Sequence, residues 1–97
     1  MGKITLICIG EIAEITGDRK TQFEVPTPVT FVELLTFLEA NIGENFIREL
    51  NKESFPGGSP FYQVLVNGYQ VTGDAIGKQN TVNDGDEILI SPPLAGG

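Results

Sequence analysis

The sequence predicts an α+β fold, a mixed sheet of about five strands with one main helix on one face. Three observations carry this. Residues 3–10 and 87–91 hold the short apolar runs Ile4-Thr-Leu-Ile-Cys-Ile9 and Ile88-Leu-Ile90, of the kind that a sheet buries. Between them, residues 30–42 show one sustained helical periodicity. The pair Asn67-Gly68, flanked by apolar residues, is the strongest short hairpin signal. The 97 residues suffice for a single core, so one domain is expected over 1–97, with 92–97 as a protruding C-terminal tail.

The elements follow in order. In the first strand, residues 3–10, Ile4, Leu6 and Cys8 point one way and Ile7 and Ile9 the other. Apolar groups on both faces indicate a central strand. Residues 10–17 read as a turn, and 21–25 as a second strand that Pro26 ends, giving a hairpin. Thr30-Phe-Val-Glu33 is a capping box opening the main helix. Phe31, Leu34, Leu35, Leu38 and Ile42 form its apolar stripe, and Gly43 stops it. Residues 44–50 can make a short second helix anchored by Phe46, Ile47 and Leu50, and 51–60 is a Pro/Gly loop.

The second half returns to strands. Residues 62–66 are a third strand and 69–71 a brief fourth, joined by the Asn67-Gly68 turn. An irregular polar crossing covers 73–83, and Asn83-Asp-Gly-Asp86 is the turn that launches the last strand, 87–91. A helical crossover allows the first and last strands to pair in parallel. That arrangement is the β-grasp, the ubiquitin-like fold.

Composition closes many functional classes. Histidine is absent, so Ser-His, Cys-His and His-metal chemistries are excluded. The one cysteine, Cys8, rules out an internal disulfide and a four-thiolate metal site, and its apolar run marks it as a small buried hydrophobe. Gly57-Gly58 is not followed by Lys-Ser/Thr, so no phosphate loop is present. Asn83-Asp-Gly-Asp86 lacks the ligand spacing of a calcium loop. A net charge of −7 argues against nucleic acid and favours a partner with a basic surface. No apolar run approaches the ~20 residues a bilayer crossing needs. No membrane partner and a cytoplasmic location are expected.

The tail is the remaining candidate. Pro92 and Pro93 fix φ and remove two donors, so the strand cannot continue past Ser91 and the exit is extended. Ala95, Gly96 and Gly97 are slim enough to thread a narrow channel. Terminal glycines alone are a weak signal. Their position after strand, proline pair and small linker strengthens it.

Val82-Asn-Asp-Gly-Asp-Glu87, followed by Pro92-Pro-Leu-Ala-Gly-Gly97, resembles the C-terminal signature of the MoaD/ThiS family of ubiquitin-like sulfur carriers. The likeness takes in Val64-Leu-Val-Asn-Gly68 and the extra segment 44–60, which places the chain on the MoaD side. The chain departs in carrying Ile90-Ser91 where MoaD proteins often have an aromatic before the proline pair. The resemblance implies that Gly97, presented beside Gly96, is adenylated by a ubiquitin-activating-type enzyme using ATP and becomes a thiocarboxylate. It further implies the small subunit of molybdopterin synthase, acting in molybdenum or tungsten cofactor biosynthesis, with a larger synthase subunit as partner. The carrier would supply no catalytic side chain, bound cofactor or metal of its own.

Ile7, Ile9, Leu65 and Leu89 are expected on the sheet face away from the helix, as a docking patch for partners, with Leu94 and Ala95 continuing the contact. The alternative is that the 44–60 segment covers this face. Other functions stay open: a carrier for tRNA thiolation or thiamin, a protein modifier forming isopeptides, or a β-grasp interaction module with an idle tail.

Overall fold

A computed structural model describes residues 1–54, 56–58, 60–70 and 81–92. Among the described residues, five strands form one sheet in the order β2-β1-β7-β4-β5. These are β1 (Gly2–Cys8), β2 (Lys20–Val25), β4 (Gln63–Val66), β5 (Tyr69–Gln70) and β7 (Glu87–Ser91). A second, two-stranded sheet pairs β3 (Val29–Thr30) with β6 (Thr81–Val82). The helices are α1 (Glu11–Thr16), α2 (Phe31–Ile42) and α3 (Glu44–Leu50).

The topology is the expected β-grasp. β1 runs antiparallel to β2 and parallel to β7, with Leu6 opposite Ile88 and Cys8 opposite Ile90. β7 is antiparallel to β4, with Val64 opposite Ile90. One face therefore collects Ile4, Leu6, Cys8, Val64, Ile88 and Ile90, all buried, and the helices cover it.

Two local motifs form as the residues dictate. Thr30 Oγ1 accepts from the Glu33 N–H at 3.1 Å, and Glu33 Oε1 accepts from the Thr30 N–H at 3.1 Å, the reciprocal capping box. The bond from the Thr30 backbone, then that from its hydroxyl, holds the Glu33 carboxyl below its ordinary pKa. Asn67 and Gly68 both take positive φ, 52° and 86°, as a type I′ hairpin turn demands.

Along α2, Phe31, Leu34 and Leu38 are buried, while Leu35 is half-buried and lines a cleft of about 310 Å³ with Leu50, Tyr62 and Val64. Phe46 and Leu50 of α3 join the same core. The 44–50 stretch thus packs on the helix side of the sheet. It does not cover the outer face.

Three expectations need correction. Residues 10–17 are not a simple turn: Glu11–Thr16 is a helix, with Ile12 fully buried and Gly17 as its left-handed C-cap. Thr81–Val82, assigned to an irregular crossing, is a strand beside β3, and Val82 is buried. The first strand begins at Gly2 and stops at Cys8, so Ile9 and Gly10 lie beyond it. Val71 and the rest of 71–80 lie outside the described residues.

Candidate functional site

The base of the C-terminal segment is built by four elements. β7 brings Ser91 to the end of the central ladder, opposite Gln63. Ser91 is 2% exposed, and its Oγ accepts from Gln63 Nε2 at 3.2 Å. The Ile9 N–H donates to the Ile90 carbonyl at 2.9 Å, extending the β1–β7 pairing one residue beyond β1. The next residue, Pro92, is half-buried and sits against Gly10.

Gly10 holds φ 94° and ψ −157°, a region essentially reserved for glycine. A Cβ there would lie 3.0 Å from Pro92 Cγ, 3.3 Å from Pro92 Cδ and 4.0 Å from Tyr62 Cε1. The bare backbone at Gly10 is what lets the proline ring approach.

Tyr62 is anchored in turn. Its hydroxyl donates to Glu49 Oε2 at 2.5 Å. Burial, then the adjacent Glu49 carboxylate, raise the phenol's pKa above its ordinary value. Lys52 Nζ lies 3.5 Å from both Glu49 Oε2 and Glu11 Oε2, and 4.7 Å from the centre of the Phe61 ring. Desolvation opposes the Lys52 charge, but Glu11 and Glu49 outweigh it and raise the ammonium's pKa. The group ties α1 to α3 and to the segment that leads into β4.

Cys8 is no nucleophile. It is 1% exposed, and burial pushes its thiol up to about 11 against a modest lowering by Thr16. Among the described residues, no group of three or more acidic, Cys or His side chains is placed to hold a metal ion. No described helix is long and apolar enough to cross a membrane.

Three of the residues expected on the outer face lie together there. Ile7 lies opposite Leu89 and Leu89 opposite Leu65, so the three form one row across β1, β7 and β4. The row is half-buried and none of the three belongs to the core under the helices. Lys20 on β2 and Gln70 on β5 sit at its two ends by register. Ile9, one residue past β1, is 37% exposed. The remaining site residues read from sequence, Leu94, Ala95, Gly96 and Gly97, lie outside the described residues together with Pro93.

The contribution of Gly10 and Tyr62 was missed in the sequence. No local pattern marks it, because the contact joins the two ends of the chain through tertiary structure. A glycine directly after a buried strand was the one available hint.

The ThiS family pattern matches residues 7–97, nearly the whole chain and including the last glycine. The chain belongs to the ThiS family. Solved structures agree with this family's fold. Small archaeal modifier protein 1 (SAMP1) of Haloferax volcanii is similar with a TM-score of 0.67 at 22% identity, over 99% of this chain and 100% of that one. A putative molybdopterin converting factor subunit 1 from Pyrococcus furiosus gives 0.70 at 19% identity, over 97% and 100%. The HVO 2177 protein of Haloferax volcanii gives 0.70 at 26% identity, over 99% and 87%. A search of curated protein sequences returned no significant match. Together these show that the ThiS-family chain shares the ubiquitin-like β-grasp fold of those structures.

Proposed function

We propose that this is a one-domain sulfur carrier of the cytoplasm whose Gly97 carboxylate is adenylated and then converted to a thiocarboxylate. The observation that carries the reading is the family match running through Gly97, on a body whose last described strand ends at Ser91 and is followed by Pro92. A carboxylate resists substitution because its leaving group would be oxide. Its oxygen attacks the α-phosphorus of ATP, a P–O bond forms, and pyrophosphate leaves. Hydrogen sulfide, the sulfur donor at the same oxidation level, then attacks the acyl carbon, and AMP departs with the C–O electron pair to leave the thiocarboxylate. Every catalytic group belongs to the partners, since the chain has no histidine and its cysteine is buried.

The first partner is a ubiquitin-activating-type adenylating enzyme. The second is a molybdopterin synthase large subunit, supported by the similarity to the putative molybdopterin converting factor subunit 1. Both dock on the Ile7–Leu89–Leu65 row and Ile9, with Leu94 and Ala95 following into the partner's channel. A second reading, conjugation of Gly97 to protein amines, draws on the likeness to small archaeal modifier protein 1.

The test is ATP–pyrophosphate exchange with a cognate activating enzyme. Exchange is expected with the parent chain and is lost when Gly97 is deleted or one residue is appended after it. Stability should be unchanged in both variants. Equal exchange by the extended variant refutes the assignment of Gly97.

A further inference from the structure

The contact between Pro92 and Gly10 joins the point where the chain leaves the sheet to the first residue before α1. Three features make it a built contact. Gly10 adopts a backbone conformation open essentially to glycine, and that conformation presents its bare Cα to the proline ring. A Tyr62 ring carbon, Cε1, also lies 4.0 Å from the point where a Gly10 Cβ would stand. The ring is held from behind by Glu49, which Lys52 bridges to Glu11 on the helix that Gly10 begins. Ser91, the residue before Pro92, is buried and bonded to Gln63.

We infer that Gly10 and Tyr62 form a seat for Pro92 that fixes the line along which the chain leaves the body, which makes both positioning residues for whatever acts on Gly97. The inference deepens the carrier reading and rests on it for its functional half. Five residues beyond Pro92 reach at most about 17 Å, so a tilt of about 20° at the seat can displace the far end by at most roughly 6 Å. Misplacement of a reacting group by about 1 Å can already cost about a hundredfold in rate. Proline at position 92 suits this role, because its locked φ transmits the direction of the seat to the next bond.

The experiment separates the seat from the chemistry. A nitroxide is attached through Leu94→Cys, and paramagnetic broadening is mapped over the amides of the body. Labelling at neutral pH goes to the introduced thiol, since Cys8 is buried and its thiol is pushed up to about 11. Gly10→Ala crowds the seat and Tyr62→Leu removes its ring wall, whereas Tyr62→Phe keeps the ring. The broadening is expected to spread to at least about twice as many amides in the first two variants and to keep the parent pattern in Tyr62→Phe. Should Gly10→Ala fail to fold, Tyr62→Leu alone decides. An identical map in every folded variant overturns the seat.

Unlabelled chains with Leu94 intact are then compared as substrates of the activating enzyme. A loss of at least about tenfold in kcat/KM, carried by kcat, is expected for the variants whose map changes. Pro92→Ala removes the Cγ and Cδ atoms that the seat holds, so its loss and that of Gly10→Ala should fail to multiply in the double variant. Losses that multiply in full mean that Gly10→Ala acts through backbone strain alone and overturn the assignment of Gly10. A parent chain that is never adenylated, with the broadening still dependent on the seat, refutes the carrier reading and leaves the seat standing.

Discussion

Phe46→Ala tests the placement of α3, on which the availability of the outer face depends. Phe46 is 0% exposed and belongs to the core between the sheet and the helices. A phenylalanine buries about 150–250 Å² of surface, most of it apolar. At about 25 cal/mol per Å² the full side chain is worth roughly 4–6 kcal/mol as an upper bound, and alanine retains part of that. Phe→Ala substitutions in cores cost about 3–5 kcal/mol once the residual cavity is included. The domain's own stability should be of order 5–15 kcal/mol, so the variant stays folded only if the parent lies above the bottom of that range.

Urea titration followed by circular dichroism reads the loss directly. Phe46→Leu, milder at below about 2 kcal/mol, guards against complete unfolding. Because α3 and the Ile7–Leu89–Leu65 row lie on opposite sides of the sheet, Phe46→Leu should bind the activating enzyme as the parent does. A loss below about 0.5 kcal/mol for Phe46→Ala, the usual size of a surface change, would refute the placement. So would an unchanged stability with weakened binding.

Three further outcomes follow from the same geometry. Leu65→Glu puts a charge into the apolar row opposite Leu89 and should weaken binding to the activating enzyme at least about tenfold with native circular dichroism; unchanged affinity in a pull-down titration removes the row from the interface. Thr30→Ala deletes one half of the capping box and should cost about 1 kcal/mol in urea melts, with the helix otherwise intact. Cys8 has a folded pKa raised from 9.0 to about 11, so its contribution to stability is full below pH 9 and is lost as pH rises through 11; Cys8→Ala should flatten that alkaline decline, and an unaltered slope between those pH values contradicts the burial argument.

Where one segment carried its own signal, the sequence was sufficient. The Thr30/Glu33 box, the φ > 0 pair Asn67-Gly68 and the parallel pairing of the first and last strands all appear as read. The outer row was legible too, since alternation along β1 and β7 assigns Ile7 and Leu89 to the face opposite Leu6 and Ile88. What escaped was short or non-local. α1 has six residues and a glycine N-cap without side-chain bonding, so neither a long period nor a capping residue announces it. β3 and β6 have two residues each, too few for any alternation to register. The destination of residues 44–50 depended on whether Phe46 and Leu50 could reach the core past α2, a tertiary question that their helical spacing leaves open.

The central claim is that sulfur travels on the carboxyl carbon of Gly97. Fragmentation mass spectrometry of the chain, after incubation with an activating enzyme, ATP and a sulfur donor, locates the added sulfur along the sequence. Replacement of one oxygen by sulfur is predicted on fragments that contain Gly97, dependent on ATP and absent from every fragment that contains Cys8 without Gly97. Sulfur found as a persulfide on Cys8, or a modified C-terminus that forms without ATP, would contradict the account.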